Sequence, residues 1–171
     1  RIKDKTMKLN DTLIAIWLKL ALDDSSTKTY KVFKHFGDFE KVHEASYEEL
    51  KEIPELKEKE IEALMNKDLH EAGNVAQVCT ENFIEIITIT DERYPKSLLE
   101  LNCPPCVLFV SGNFDKAVSK PCIAVVGTRS CTEYGKRITS VMSGGLAVSG
   151  CTIVTGIANG TTHIIGQLGE F

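Results

Sequence analysis

The first half of the chain places its apolar residues at the three- and four-residue spacing of amphipathic helices. One such face, which predicts a helix from about Asp11 to Leu22, is formed by Leu13, Ile14, Trp17, Leu20 and Ala21. Further helices are predicted from a cap at Ser25, Ser26 or Thr27 to Gly37, over a short stretch after it, from Ser46 to about Ile53, and from about Lys57 to Val78. The aromatic residues expected in their core are Trp17, Phe33, Phe36 and Phe39. The first six residues are given no role in the fold.

The pattern changes after Phe83, where β-branched residues follow one another closely. A strand to about residue 89, a loop, a short helix over 97–101 and a strand over 107–110 are predicted. The continuous apolar run Ile123–Val126 is typical of a parallel strand that is buried on both faces. A helix from about Thr132 to Ser149 and a strand over 151–155 follow, so the sequence predicts a right-handed β-α-β unit.

Length and composition favour a globular protein with two small domains. The chain has 171 residues, of which 43% are hydrophobic and 26% are charged. We predict an all-α domain over 9–78 and an α/β domain over 79–171. No apolar run approaches the roughly 20 residues of a transmembrane helix, and no secretory cleavage site follows the charged first residues. We therefore expect a cytoplasmic protein without a membrane partner.

Charge and cysteines narrow the possible chemistry. A net charge of −4 and a pI near 5.6 mean that any nucleic-acid binding has to be local. The six cysteines lie mostly in or beside apolar runs, which predicts free, buried thiols. Cys103 and Cys106 have the spacing of redox and zinc sites, but the second begins a strand and no second pair accompanies them, so both are predicted to be structural. His35, His43 and His70 are predicted to be solvated.

Two glycine-containing loops follow the predicted parallel strands. Their candidate phosphate-binding residues are Gly127, Thr128 and Arg129 in the first loop and Thr155, Gly156 and Gly160 in the second. Backbone amides, a helix N-terminus and a guanidinium group all attract phosphate at this edge of a sheet. The alternative is that Arg129 pairs with an acid such as Glu133 while the glycines only permit tight turns. Because Arg129 replaces a glycine of the dinucleotide fingerprint, no nicotinamide or flavin cofactor is expected, and His163 lacks a catalytic partner nearby.

Several motifs in a fixed order resemble one family. They are Phe36-Gly37, a helix start from Ser46 to Leu50, Arg93-Tyr94-Pro95-x-x-Leu98, Pro104-Pro105-x-Leu108-x-x-x-Gly112, Ala124-Val125-Val126-Gly127-Thr128-Arg129 and Tyr134-Gly135. With them, residues 10–160 resemble the DNA-processing protein A family, also called DprA or Smf.

The resemblance implies a fold and a function. It implies an all-α domain of sterile-alpha-motif or helix-hairpin-helix type, followed by an extended Rossmann-like parallel sheet that is incomplete here. It also implies a single-stranded DNA-binding protein of natural transformation and competence, which assists loading of the RecA recombinase, often as a homodimer. No catalytic residue, cofactor or metal comes with it. By motif position, 127–129 would contact DNA phosphate, and Thr155, Gly156 and Gly160 match the family's second loop.

The sequence departs from the family at two places. The family continues its second loop with isoleucine and aspartate, whereas this chain has Thr161, Thr162 and His163. A fragment, a reading frame lost near Thr161 and a shortened relative would each account for this difference. The glycines of a helix-hairpin-helix are also missing, since the turns at 22–26 and 53–57 carry acidic residues that repel phosphate. The helical domain is therefore expected to serve packing or protein contact.

Two other functions stay open at this point. One is a Rossmann-like nucleoside-phosphate hydrolase, which shares a glycine-rich phosphate floor but needs a P-G-G-x-G-T-x-x-E run that this sequence lacks. The other is a protein-interaction module that uses the helical domain alone.

Overall fold

A computed structural model describes residues 2–127 and 130–156, with side chains from Asn10 onward. Its helices are α1 (Ile2–Ala21), α2 (Ser26–Phe36), α3 (Phe39–Glu44), α4 (Tyr47–Lys51), α5 (Glu58–Met65), α6 (His70–Glu81), α7 (Lys96–Leu99), α8 (Phe114–Val118) and α9 (Glu133–Val148). Its strands are β1 (Glu85–Thr88), β2 (Val107–Val110), β3 (Cys122–Ala124) and β4 (Thr152–Val154). The chain forms two compact units, unit 1 over Arg1–Gly112 and unit 2 over Asn113–Phe171.

Unit 1 is organised around α1, which packs against α3, α5, α6 and both strands β1 and β2. Ile14 and Leu18 of α1 are fully buried together with Phe39 of α3, and Phe39 contacts Phe33 with ring centroids 4.5 Å apart. Strands β1 and β2 pair antiparallel, and Val107 of β2 belongs to the same core. The expected aromatic core is confirmed, with Phe33 and Phe36 half-buried at its margin.

The predicted helix ends of unit 1 are confirmed by their capping bonds. The Ser25 side chain accepts the Lys28 amide, and Gly37 ends α2 with a φ of 74°, in the left-handed region that glycine adopts without strain. Ser46 and Glu49 form the predicted capping box at the start of α4. These local bonds explain why the sequence was sufficient to place the two helices.

The prediction of one helix from Lys57 to Val78 is wrong, because the chain leaves the helical path between α5 and α6. The indole N–H of Trp17 donates to the Asn66 carbonyl at 2.9 Å, and Nε2 of His43 lies 2.9 Å from the Lys67 carbonyl. Side chains of α1 and α3 thus occupy carbonyls that a continuous helix would bond internally. His43 was expected to be solvated, but it is half-buried with its ring 5.1 Å from Trp17.

Other expectations need smaller corrections. Helix α1 begins at Ile2, so the first residues, which were given no role, extend it. Helix α8 was not predicted; it is a five-residue helix capped by Asn113, too short for a hydrophobic period to show. The predicted domain boundary after residue 78 marks the change of sequence pattern and stays a prediction. The compact units divide later, after Gly112, because β1 and β2 pack on the helices of unit 1.

Unit 2 contains the predicted β-α-β arrangement. Strands β3 and β4 pair in parallel, with Cys122 opposite Thr152 and Ala124 opposite Val154, and α9 packs against β4. The expectation that β3 is buried on both faces is wrong for the described residues, since Cys122 and Ala124 are exposed. The described part of this sheet has only two strands, which leaves much of β3 uncovered.

Candidate functional site

The first candidate loop and the second begin side by side at the carboxyl edge of β3 and β4. The parallel pairing continues one residue past the strands, because the Val125 amide donates to the Val154 carbonyl at 2.9 Å. Gly127 follows this hydrogen bond by two residues, and Thr155 and Gly156 follow it by one and two. The structure therefore brings these three predicted residues to one edge of the sheet. The predicted site residues Thr128, Arg129 and Gly160 lie outside the described residues, as does His163.

The N-terminus of α9 faces the same edge, because α9 is the crossover that follows the first loop. Thr132 caps it by accepting the Gly135 amide at 3.1 Å. A Cβ atom added at Gly135 would lie 3.4 Å from the Thr132 hydroxyl oxygen, so the glycine leaves the cap unobstructed. The remaining amides of this first turn and the helix dipole make the position attractive to an anion.

Charged side chains on α9 were missed by the sequence reasoning. Lys136 bonds Glu133 at 2.7 Å, and the hydrogen bond and charge of Glu133 raise the pKa of Lys136, so this amine stays charged at neutral pH. Arg137 is exposed beside it. The predicted helix start at Thr132 was the signal that could have found both, because it places them within the first turn and a half of α9. Two cations therefore accompany one carboxylate near this edge.

Two large apolar side chains are also exposed near the first loop. Val126 is 86% exposed just after β3, and Tyr134 is 67% exposed in the first turn of α9. Valine is among the residue types that are most often buried, and tyrosine is intermediate. Their exposure next to polar loops gives this edge an aromatic and apolar component besides its anion-attracting amides.

The C-x-x-C pair lies in unit 1 and has a structural environment. Cys106 is 2% exposed, and burial raises the pKa of its thiol to about 12, so it is neither a thiolate nucleophile nor a ready metal ligand at neutral pH. The Cys106 carbonyl accepts the Ile89 amide at 2.9 Å, and the Tyr94 hydroxyl donates to the Pro105 carbonyl at 2.7 Å. These bonds hold the start of β2 against the core.

The other cysteines differ in their burial. Cys79 is buried like Cys106, but Cys122 is exposed, which corrects the expectation that the thiols are mostly buried. Over 2–127 and 130–156, no three His, Cys, Asp or Glu side chains are grouped in a way that could hold a metal ion.

Comparison with known proteins shows which family the second half of the chain resembles. The family described as DNA recombination-mediator protein A matches residues 85–167, which include both candidate loops. Protein Smf of Synechocystis sp. is 40% identical over 79 residues, which cover 44% of this chain and 20% of that protein. The chain is similar to the DNA-processing protein A family over 83 of its 171 residues. DprA of Bacillus subtilis is 35% identical over 80 residues, which cover 47% of this chain and 27% of DprA.

A solved DprA structure supports the fold. The X-ray structure of DprA from Streptococcus pneumoniae aligns with a TM-score of 0.58 at 22% identity, over 85% of this chain and 50% of the DprA chain. The chain thus spans about half the length of that relative. Within the described residues, no helix has both the length and the apolar character that crossing a membrane requires.

Proposed function

We propose that unit 2 binds the phosphates of single-stranded DNA at the carboxyl edge of β3 and β4. We propose that this binding is part of DNA processing and recombination. The observation that carries the proposal is the hydrogen bond from the Val125 amide to the Val154 carbonyl. Because of this bond, the two candidate loops begin side by side, near the capped N-terminus of α9. Backbone amides and a helix N-terminus are a common way to bind phosphate without reading sequence.

The charges near these loops fit a backbone contact. Arg129 is proposed to pair with a phosphate through its guanidinium, with Thr128 and Gly160 completing the loops around Gly127. Lys136 and Arg137 add positive charge on α9. A chain whose net charge is −4 can still bind DNA in this way, because Arg129, Lys136 and Arg137 place three cations within nine residues of the sequence.

The remaining assignments follow the family name and the resemblance. The chain is proposed to act in natural transformation as a cytoplasmic partner of a RecA-type recombinase, with homodimers as a possible form. The helices of unit 1 are proposed to be of sterile-alpha-motif or helix-hairpin-helix type and to serve packing or protein contact. No reaction is assigned to the chain, and the carboxylate of Glu133 is already bonded to Lys136.

The proposal is tested by fluorescence anisotropy of a labelled oligothymidine, comparing the unaltered chain with Arg129→Ala. The matched control is Arg93→Ala, which removes the same charge from an exposed site in unit 1, where Arg93 bonds Glu85 at 2.6 Å. We expect Arg129→Ala to weaken binding and to lower the slope of log affinity against log salt by about 0.7, the loss of one phosphate contact. Equal affinities for both variants, with circular dichroism showing them folded, would reject the role of Arg129.

Two further assays distinguish the proposal from the two other functions. Release of inorganic phosphate or free base from nucleoside monophosphates by the purified chain would favour the hydrolase. DNA binding that is retained by a chain that ends at Gly112, where unit 1 closes, would favour a function carried by the helical domain alone. The proposal expects neither, because it places the phosphate contacts in unit 2.

A further inference from the structure

Tyr134 has an unusual environment for a tyrosine in a helix. It is the second residue of α9, after the Thr132 cap, and its side chain is 67% exposed. Its hydroxyl has no hydrogen-bond partner in the part of the chain that the structure describes. The ring therefore contributes little to the packing of unit 2 and keeps most of its surface available for contact.

Tyr134 lies in the first turn of α9, and this position distinguishes it from other exposed apolar residues. Tyr134 precedes Gly135, whose amide bonds the Thr132 side chain, so its backbone is fixed by the helix cap. Tyr134 therefore lies in a fixed first turn, and this helix N-terminus follows the first loop at the edge where Gly127 and Gly156 lie. Val126, 86% exposed at the start of the first loop, adds an apolar side chain to the same edge.

This arrangement rests on the proposed function and goes one step beyond it. We propose that Tyr134 stacks on a base of the single strand whose phosphates bind at the two loops. Every base has a π-face, so one aromatic ring beside a phosphate site strengthens binding without selecting a sequence. The ring would also favour single strands, because bases of a duplex are already stacked on each other and are not available to it.

The chain offers a matched control on the same helix. Val141 is exposed to the same fraction, 67%, and lies seven residues further along α9. Seven residues are about two turns, so Val141 projects from nearly the same face but about 10 Å further from the helix N-terminus. An effect of general apolar exposure on α9 would appear in both variants, whereas stacking next to the loops requires Tyr134 alone.

The test compares Tyr134→Ala, Tyr134→Phe and Val141→Ala by anisotropy with two probes of equal length. One probe is labelled oligothymidine, and the other is the same labelled strand with abasic sites in place of the bases. We expect Tyr134→Ala to weaken oligothymidine binding about five- to 150-fold, the range measured for loss of one stacked base. Tyr134→Phe and Val141→Ala keep the unaltered affinity, the abasic strand binds all variants alike, and the salt slope stays the same because no phosphate contact is lost.

Each other outcome overturns the inference in a recognisable way. If Tyr134→Ala binds oligothymidine as the unaltered chain does, phosphate binding stands and stacking is rejected. If it weakens both probes equally, the ring supports the loop rather than a base. If Tyr134→Phe loses as much affinity as Tyr134→Ala, the hydroxyl is responsible. If the unaltered, folded chain binds neither probe, the proposed function itself fails.

Discussion

The two units of the chain bury their apolar residues to very different extents. In unit 1, residues such as Ile14, Leu18 and Phe39 are 0–1% exposed. In the described part of unit 2, only Ser143 is buried, while Val126, Val148 and others are largely exposed. Burial of apolar surface is the main source of folding free energy, so unit 1 has its own core. Among the described residues, unit 1 therefore buries most of the apolar surface that stabilises the fold.

The contrast extends to charge. In unit 1, cations and carboxylates of different elements are paired, as in Lys28 with Glu60 at 2.5 Å and Lys31 with Glu55 at 2.5 Å. In the described part of unit 2, Glu133 and Lys136 of α9 form a local ion pair, and Arg137 is exposed nearby. These ion pairs of unit 1 therefore join different elements, whereas the pair on α9 lies within one helix.

The largest effect is expected from the core of unit 1. Replacement of Phe39 by alanine removes a fully buried ring that contacts Phe33, and we expect it to lower the free energy of unfolding by about 3–5 kcal/mol. Urea denaturation followed by fluorescence of Trp17, the one tryptophan in the sequence, reports on unit 1. A loss below about 1 kcal/mol would contradict the view that this core stabilises the unit.

A smaller and pH-dependent effect is expected at Glu60. Its side chain is 7% exposed and accepts bonds from Lys28 at 2.5 Å and from the Lys57 amide at 2.8 Å, and these bonds lower the pKa of Glu60. Because the folded pKa is depressed, the stabilisation is present above the unfolded pKa and is lost as the pH falls through the folded pKa. Glu60→Gln should thus cost about 1.5–3 kcal/mol at pH 7.

The control for Glu60→Gln is the same measurement repeated at acidic pH. The difference in unfolding free energy between this variant and the unaltered chain should shrink as acid protonates Glu60, and denaturation curves at neutral and acidic pH measure it. A difference that stays constant over that range would show that the carboxylate charge plays no part.

A gain of stability is expected at Phe83. This residue follows α6 with a φ of 55° and a side chain that is 90% exposed, so it has the left-handed conformation without compensating burial. Phe83→Gly should raise the unfolding free energy by about 1 kcal/mol. Phe83→Ala, which keeps the Cβ atom, is the matched control and should not gain. A loss in Phe83→Gly would show that the ring is covered by another part of the protein.

The smallest effect is expected on α9 in unit 2. Val148 is 84% exposed at the last position of the helix, where a positive charge also suits the helix dipole. Val148→Lys should change stability by no more than about 0.5 kcal/mol, measured by far-ultraviolet circular dichroism during thermal unfolding. A loss above about 1 kcal/mol would break the comparison, because it would mean that this part of unit 2 is buried in solution.

Local signals explain which parts of the fold the sequence predicted. Ser25, Gly37 and the Ser46 capping box mark helix ends through bonds between neighbouring residues, and all three were predicted. The break between α5 and α6 was not predicted, because it depends on Trp17 and His43, which are distant in sequence. The exposure of β3 was also missed, since an apolar run shows that a strand can be buried but not how many neighbours it has.

The candidate site shows the same limit. The order of strand, loop and helix predicted that Gly127, Thr155 and Gly156 lie at one edge, and the parallel pairing of β3 and β4 places them there. The sequence did not single out Arg137, and it named Tyr134 with Gly135 only as a motif of the resemblance, without predicting that the ring is exposed. Exposure depends on the tertiary environment of a side chain, so a residue in an amphipathic helix start gives no sequence signal for it.

The most direct test of phosphate binding by unit 2 follows the glycine amides by NMR during titration with oligothymidine. Gly127, Gly135 and Gly156 lie in or beside the two loops, whereas Gly37 and Gly73 lie in unit 1 and serve as internal controls. We predict that the first three amide signals shift in a salt-dependent manner, while the signals of the two control glycines do not shift. Shifts confined to unit 1, or none with the folded chain at saturating oligonucleotide, would contradict it.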